Sequence, residues 1–408
     1  MCGILIGATL LGGLADHFGR KTNVHRGNGA LLSLSGLITL TPNFPLLLVF
    51  FFGIGMALGC DYPTAHMMIS ESIPSRSRGR MVLGAFGFQA IGALAGTVIG
   101  YLILKNIPEV GAWRWMYATA IIPGILVVAG RFLITDSCHW LVSMGRVRDA
   151  EKEMHRLLQR SPKYPKEIRI QEEEQDEKKS EKGFKSLFKK KHRRATILAS
   201  VPWFLQDLGT YGIGIFTPTI LAMTIGEKIA HPRNLSDVIL NDILAAKGAA
   251  FIDLFLVFGI LVAIFFADRL GRIRMQVWGF IGCALGLFLA ALSIGMTGPV
   301  AVFLIFAGFV IFNFMTNAGP NAMTYLIAGE VFPTRLRGKG AGFAASFAKI
   351  GAVLTAFFFP FLLQSIGTKA LLWILIFASL LGALFTWCYR IETMGKNLEE
   401  METSDPEI

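Results

Sequence analysis

The chain has 408 residues, of which 53% are hydrophobic and only 16% are charged. Because an ordinary soluble domain carries about a quarter charged residues, this composition excludes a disordered chain, a nucleic-acid-binding module and a soluble enzyme of one or two domains. The net charge of +11 lies in short Lys and Arg clusters between long apolar runs, which is typical of membrane topology. The sequence therefore predicts an all-α protein that crosses a lipid bilayer several times and has no nucleic-acid partner.

Apolar stretches long enough to cross a membrane, which takes roughly 20 helical residues, recur eleven times along the chain. They cover residues 1–15, 27–41, 45–70, 80–104, 115–134, 196–224, 248–267, 275–296, 299–328, 340–364 and 368–389. We expect an N-terminal bundle over 1–134 and a C-terminal bundle over 196–390. A polar central loop over 135–195 joins the two bundles, and a polar tail follows over 391–408.

Basic residues are distributed unequally between the loops on the two sides of the membrane. One set of loops holds twelve Lys and Arg residues against six in the other set, and loops rich in Lys and Arg stay in the cytoplasm. The central loop, dense in Lys, Arg and Glu, falls on the side of the first set. We therefore expect it and the C-terminus to be cytoplasmic, in a plasma membrane or a bacterial inner membrane.

Two loop motifs of the N-terminal half recur in the C-terminal half. The sequence D-H-F-G-R at 16–20 returns as D-R-L-G-R at 268–272, an offset of 252 residues. The sequence E-S-I-P-S-R-S-R-G at 71–79 returns as E-V-F-P-T-R-L-R-G at 330–338, an offset of 259 residues. Similar offsets for separate motifs indicate a duplicated bundle, and two related halves joined by a long loop are typical of transporters with parallel repeats.

Five polar side chains lie at one predicted depth in the membrane. Each is nine to eleven residues from the cytoplasmic end of its span, so the rise of a helix places it about 15 Å deep, near the bilayer midplane. They are Asp61, Gln89, Asp207, Asn321 and Lys349. Charged groups in hydrocarbon cost several kcal/mol each, and alternating-access transporters bind their substrates at this depth. We therefore predict a substrate site where these residues converge.

The residue types at this depth favour a small oxyanion as the substrate. Lys349 offers a buried positive charge, Trp203, Asp207 and Tyr211 step by four residues along one helix face, and Tyr62 follows the first acid. A hexose would instead need several neutral Asn and Gln partners and no buried cation. The two aspartates fit an anion if they take up protons when it binds, and burial favours the protonated form of a carboxyl group.

The loop motifs D-x-x-G-R and E-x-x-P-x-R-x-R-G, with their repeats, resemble those of the major facilitator superfamily, especially its sugar-porter-like branch. The resemblance covers nearly the whole chain and implies two pseudo-symmetric helix bundles and secondary transport by alternating access. That superfamily has twelve spans, and its D-x-x-G-R loop follows the second of them. We therefore expect eleven of the twelve spans here, with the first span missing.

Further segments resemble the phosphate:proton symporters of this superfamily. These segments are G-C-D-Y-P at 59–63, W-F-L-Q-D-L-G-T-Y-G at 203–212, G-P-N at 319–321 and S-F-A-K-I-G at 346–351. The resemblance implies that Asp61 and Asp207 exchange protons. It also implies that inorganic phosphate is held by the following residues: Tyr62, Gln89, Trp203, Asp207, Tyr211, Asn321 and Lys349.

The leading hypothesis is a proton-coupled importer of inorganic phosphate that acts as a monomer, without a cofactor or a metal. Charged loop residues would form ion-pair clusters that close the cytoplasmic side; they are Asp16, Arg20, Glu71, Arg78, Asp268, Arg272, Glu330 and Arg337. One alternative is a related transporter of a sugar, an organic acid or another small anion. A second alternative is a non-transporting receptor with the same fold. An enzyme is not expected, because the sequence shows no Ser/His/Asp set, metal cluster or phosphate-cradling Gly loop.

Overall fold

The structure, a computed structural model, describes residues 2–8, 20–73, 77–131, 138–143, 145–158, 184–224 and 235–396. Within these ranges the side chains of Arg20, Tyr62 and Glu71 lie outside the described part. Helices make up most of the described residues, and no strand occurs among them. This architecture confirms the predicted all-α class.

The N-terminal half and the central loop contain seven described α-helices and one 3₁₀ helix. They are α1 (Cys2–Ile6), α2 (Arg20–Thr39), α3 (Phe44–Ser72), α4 (Arg78–Asn106), α5 (Ala112–Arg131), α6 (Cys138–Ser143), α7 (Val147–Leu158) and a 3₁₀ helix (Phe184–Phe188). Asn43 precedes α3, and its Oδ1 accepts a hydrogen bond from the N–H of Leu46 at 3.1 Å. This bond satisfies an amide that has no partner inside the helix, which fixes where α3 begins.

The C-terminal half contains longer helices. They are α8 (Lys190–Thr224), α9 (Leu235–Leu270), α10 (Arg272–Ser293), α11 (Pro299–Ala318), α12 (Pro320–Glu330) and α13 (Thr334–Cys388). Gly367, at a φ of 76°, divides α13 into two helices. Gly319 and Pro320 separate α11 from α12, because proline has no N–H to continue the helical hydrogen bonds. The break lies directly beside Asn321, one of the predicted site residues.

Seven segments in the described ranges are long and apolar enough to cross a membrane. They are Phe44–Asp61, Arg78–Asn106, Ala112–Arg131, Ser236–Leu270, Arg272–Ser293, Pro299–Glu330 and Leu336–Cys388. The last segment comprises two helices because of the break at Gly367. With that division, these segments overlap eight of the eleven predicted spans, and α1, α2 and α8 overlap the other three.

A continuous apolar core joins the two halves near one end of the bundle. Val82, Leu83 and Phe86 of α4 are buried in one cluster with Ile260 of α9 and Leu326 of α12. At this end α4 and α10 begin and α12 ends, and the repeated charged motifs follow; we call it the charged end. The halves are therefore closely packed against each other on the side of the charged motifs.

Glycines set the spacing of α10 and α11. A Cβ atom on Gly286 would lie 2.6 Å from the carbonyl oxygen of Gly308, and the reverse holds for a Cβ atom on Gly308. Small residues at such a crossing let two membrane helices approach closely. The close approach fixes the position of α11, and with it the position of Asn317.

Candidate functional site

The centre of the candidate site is a lysine bound to a carboxylate inside the C-terminal half. Lys349 Nζ, on α13, donates a hydrogen bond to Asp207 Oδ2 at 2.8 Å and another to Tyr211 Oη at 3.2 Å, both on α8. The same ammonium lies 4.9 Å from the centroid of the Tyr211 ring. Because Asp207 and Tyr211 are one helical turn apart, they contact the lysine from the same face of α8.

This pair is almost sealed from solvent, since the side chain of Asp207 is 3% exposed and that of Lys349 is 12% exposed. Moving one ion out of water costs several kcal/mol, and only a close and well-paired counter-ion offsets it. The lysine and the aspartate therefore depend on each other in this arrangement. Any change that neutralises the carboxylate leaves the ammonium without its charged partner.

A chain of amide side chains continues from Asp207 to the break between α11 and α12. Gln206 Nε2 donates to Thr210 Oγ1 at 2.7 Å and to Asn321 Oδ1 at 3.2 Å. Asn321 Nδ2 donates to Asn317 Oδ1 at 2.6 Å, and Asn317 Nδ2 donates to the carbonyl oxygen of Leu256 at 3.0 Å. Asn321 is thus held by neighbours on two helices, and Gln206 places this network directly beside Asp207 in sequence.

Asp61 pairs with an arginine of its own half rather than with Lys349, which shares its predicted depth. Its two carboxylate oxygens accept hydrogen bonds from both terminal nitrogens of Arg131, at 2.6 and 2.8 Å. The side chains of Arg131 and Asp61 are 16% and 17% exposed. Asp61 also interacts electrostatically with Tyr325 of the C-terminal half. The N-terminal half therefore holds a second ion pair, formed between α3 and α5.

Three aromatic rings form contacts between the two halves. Tyr325 of α12 stacks on Phe86 of α4, with centroids 4.7 Å apart, and meets Trp203 of α8 edge-on at 6.4 Å. Trp203 is buried and stands one turn before Asp207. This aromatic contact runs from the N-terminal half to the helix of the lysine-bound aspartate.

The structure brings together some of the predicted binding residues. Asp207, Tyr211 and Lys349 are in direct contact. Asn321 belongs to the amide chain, and Gln89 lies at an exposed position of α4. The side chain of Tyr62 lies outside the described part of the chain.

Most of the predicted charged-loop residues that the structure describes form a buried cluster at the charged end. Arg272, 1% exposed, donates from Nε and Nη2 to the two oxygens of Glu330 at 3.1 and 3.2 Å, and its Nη1 lies 2.9 Å from Asp268 Oδ1. Thr393 Oγ1 donates to Glu330 Oε2 at 2.6 Å. Glu392 accepts from the N–H of Arg272 at 3.0 Å. The segment after α13 is thereby bound to the start of α10.

This cluster also contacts the N-terminal half. The backbone N–H of Arg80 donates to Asp268 Oδ2 at 2.9 Å, and a Cβ atom on the preceding Gly79 would overlap the same carboxylate. Arg78 is buried and interacts electrostatically with Glu330. Arg337 is also buried. Of the N-terminal members of the prediction, Asp16 and the side chains of Arg20 and Glu71 lie outside the described residues.

Several residues of these networks were not among the predicted site residues. Arg131 could have been found from its charge in an otherwise apolar predicted span. Asn317 precedes Asn321 by one helical turn, a spacing that brings side chains together. Tyr325 and Thr393 carry no charge, and their roles depend on packing between segments far apart in sequence.

The comparisons with known proteins identify the family of the chain. The family described as "Sugar (and other) transporter" matches residues 1–404. The chain belongs to this family. The members of this family are membrane transporters rather than enzymes. The protein is therefore an integral multi-pass membrane transporter.

Individual relatives differ in the substrates that their names give. The putative metabolite transport protein YaaU of Escherichia coli (strain K12) is 25% identical, over 98% of this chain and 83% of its own length. The probable inorganic phosphate transporter 1-12 of Oryza sativa subsp. japonica is 29% identical, over 100% of this chain and 82% of its own length. The names of these relatives therefore cover both unspecified metabolites and inorganic phosphate.

A solved structure shows the fold. The proton:xylose symporter XylE of the major facilitator superfamily, bound to 6-bromo-6-deoxy-D-glucose, superposes with a TM-score of 0.75. It is 21% identical, and the match covers 98% of this chain and 86% of the symporter. The expected major facilitator fold is therefore confirmed.

Proposed function

We propose that the protein is a proton-coupled transporter that imports inorganic phosphate by alternating access. The observation that carries this proposal is the bond between Lys349 Nζ and Asp207 Oδ2, 2.8 Å long and buried within the helices. An ammonium held by a carboxylate becomes available to an anion when the carboxylate takes up a proton. Anion binding and proton binding are therefore linked through one pair of side chains.

The substrate would bind where the ion pair opens. Once Asp207 is protonated, Lys349 Nζ can donate to a phosphate oxygen, and hydrogen bonds between charged groups are about twice as strong as neutral ones. Tyr211, already within hydrogen-bond distance of the lysine, supplies a hydroxyl donor beside it. Trp203, Tyr62, Gln89 and Asn321 are the further ligands that the sequence resemblance implies.

Asp61 and Arg131 would supply a second proton-linked pair. Protonation of Asp61 weakens a pair in which both carboxylate oxygens bind the guanidinium. Arg131 would then be a second cation available to a substrate that carries more than one negative charge. Two carboxylates and two cations, one pair in each half, would suit phosphate, whose charge itself depends on pH near neutrality.

The cluster around Arg272 and Glu330 would act as the latch that holds the charged end shut, because it joins both halves and the segment after α13. The excess of Lys and Arg in the loops of that side supports a cytoplasmic position for it, for the central loop and for the C-terminus. The transporter would act as a monomer. The similarity to the rice phosphate transporter over the whole chain supports phosphate as the substrate.

A sugar or another hydroxyl-bearing metabolite is the second candidate substrate. Gln206, Asn321 and Asn317 form a neutral amide chain, and the buried Gln206 Oε1 accepts no hydrogen bond from the described residues. An acceptor of this kind suits a hydroxyl group. The similarities to YaaU and to the XylE fold are compatible with this reading.

Transport by the purified chain in proteoliposomes tests the proposal. We expect labelled phosphate to accumulate when the outside is acidic, and a protonophore to abolish the accumulation. Unlabelled phosphate should compete, whereas xylose and glucose should not. Phosphate uptake that ignores the pH gradient would overturn the coupling, competition by a sugar alone would favour the second candidate, and the absence of counterflow for every substrate would favour a receptor.

A further inference from the structure

An aromatic groove runs along the membrane-facing side of α9, away from the site described above. Its volume is about 670 Å³. The residues that matter here are five phenylalanines and one arginine: Phe255, Phe258, Phe265, Phe266, Phe314 and Arg269. Phe314 belongs to α11, which approaches α9 so closely at Gly259 that a Cβ atom there would overlap the Phe314 carbonyl oxygen. The groove is therefore a concave surface between two helices.

The length of the groove along α9 matches the thickness of one leaflet of a bilayer. Phe255 and Arg269 are fourteen residues apart on α9, which corresponds to about 21 Å along the helix. Half of a hydrocarbon core is roughly 15 Å thick, and the headgroup layer adds several Å. A phospholipid lying along α9 would thus place its acyl chain against the phenylalanines and its headgroup beside Arg269.

Positive charge is concentrated at the headgroup end of the groove. Arg269 lines the groove itself, and the guanidinium of Arg80, from α4, lies 5.5 Å from the centroid of the Phe265 ring. Both arginines are exposed, and neither forms an ion pair with another described residue. The nearest acid in sequence, Asp268, already binds Arg272 and the backbone N–H of Arg80.

We propose that this groove binds an anionic phospholipid, with one acyl chain along the phenylalanines and the headgroup phosphate between Arg80 and Arg269. A zwitterionic lipid would fit the apolar part equally well. Its own ammonium would meet two guanidiniums, however, so the arginines favour a headgroup with net negative charge. Charge at one end and aromatic surface along one leaflet together distinguish this groove from an ordinary lipid-facing helix surface.

Native mass spectrometry of the whole purified chain tests the proposal. The protein is exchanged into micelles with equal amounts of dioleoyl phosphatidylglycerol and dioleoyl phosphatidylcholine, and the lipids that stay bound are counted. We expect retention of phosphatidylglycerol to exceed that of phosphatidylcholine by roughly tenfold. Equal retention of the two lipids by the unmodified chain would overturn the proposal.

Two double variants separate the groove from a general effect of charge. R80Q/R269Q should lose the preference for phosphatidylglycerol, while R193Q/R274Q, which removes the same charge from exposed arginines that do not line the groove, should keep it. Loss of the preference in both double variants would show attraction to the whole charged end and would overturn the assignment to this groove.

Filling the groove tests the apolar contact independently of charge. Val310→Trp places a large ring in the lining, and should release phosphatidylglycerol although both arginines remain. Val300→Trp, on an exposed part of the same helix outside the groove, is the matched control and should release none. If excess inorganic phosphate displaces the bound lipid, the arginines recognise a phosphate ion rather than a lipid, and the proposal is wrong.

Discussion

Each half of the transporter holds a carboxylate–cation pair, but the two pairs differ in geometry and in burial. In the N-terminal half Arg131 donates hydrogen bonds to both carboxylate oxygens of Asp61. About a sixth of each side chain is exposed. In the C-terminal half Lys349 makes a single bond to Asp207 and shares its ammonium with Tyr211. The second pair is more buried and less completely bonded, so it has more to gain from a ligand.

The two repeated halves share their loop motifs but differ in the polar residues within their helices. At the motif offset of 259 residues, Asp61 falls one residue from Asn321, and Gln89 falls one residue from Lys349. Nearly corresponding positions therefore carry an acid in one half and an amide in the other, or an amide in one half and a cation in the other. The repeated motifs indicate a common helix framework, and the unequal residues place the buried ammonium of Lys349 in the C-terminal half alone.

The largest effect is expected from Lys349→Ala, which removes the cation of the buried pair. Loss of a charge-assisted bond to the substrate corresponds to about 2–3 kcal/mol, or roughly a 100-fold loss of phosphate affinity. Counterflow of labelled phosphate in proteoliposomes measures it. Lys369→Ala, at an exposed lysine, serves as the control, and undiminished counterflow in Lys349→Ala would remove the buried cation from the site.

Asp207→Asn should separate exchange from accumulation. The amide cannot carry a proton, so uptake in this variant should depend much less steeply on external pH than uptake by the unmodified chain, which should fall as the external pH rises. Phosphate exchange without a gradient should persist. The measurement is the initial rate of uptake across a series of external pH values, with Asp149→Asn in the central loop as the control.

A steep pH dependence that survives in Asp207→Asn would contradict the assignment of the coupling proton to this carboxylate. The coupling would then have to reside in the other pair.

Asp61 and Arg131 should depend on each other in a double-mutant cycle. Asp61→Asn and Arg131→Gln should each reduce proton-driven uptake by roughly tenfold, because each leaves a partly buried charge without its partner. The double variant should be no worse than either single variant, since it leaves no unpaired charge. Strictly additive losses would show that the two side chains act separately.

The smallest effect is expected at the charged end, from Thr393→Val. The change removes one hydroxyl hydrogen bond to Glu330, which corresponds to about 1 kcal/mol. We expect a modest fall in the thermal unfolding midpoint of the purified protein. Thr393→Ser keeps the hydroxyl and should unfold with the unmodified chain; an equal fall in both variants would assign the effect to packing instead.

Much of the fold could be predicted from the sequence, because the membrane restricts the possible structures. Apolar length fixes where helices cross, and repeated loop motifs such as those ending at Arg272 and Gly338 indicate two related halves. Charged residues within apolar stretches single out Lys349 and Asp207 as well, since each would be costly without a partner.

The choice of partner could not be predicted from depth alone. Asp61, Asp207 and Lys349 share one predicted depth, yet only Asp207 contacts the lysine, because Asp61 is held by Arg131 from a neighbouring helix. Helix rise gives a position along the membrane normal but no direction around the helix axis relative to the other helices. Rotation and packing of the helices decide which charges meet, and they depend on contacts such as that between Gly286 and Gly308.

The bond between the N–H of Arg80 and Asp268 has an evolutionary consequence. Since the main chain makes it, every residue except proline at position 80 can preserve this link between the halves. The side chain at that position is consequently free to adapt to the surrounding membrane without loosening the closure. Related sequences should therefore vary at position 80 with the lipids of their hosts while avoiding proline there, and should tolerate little change at Asp268.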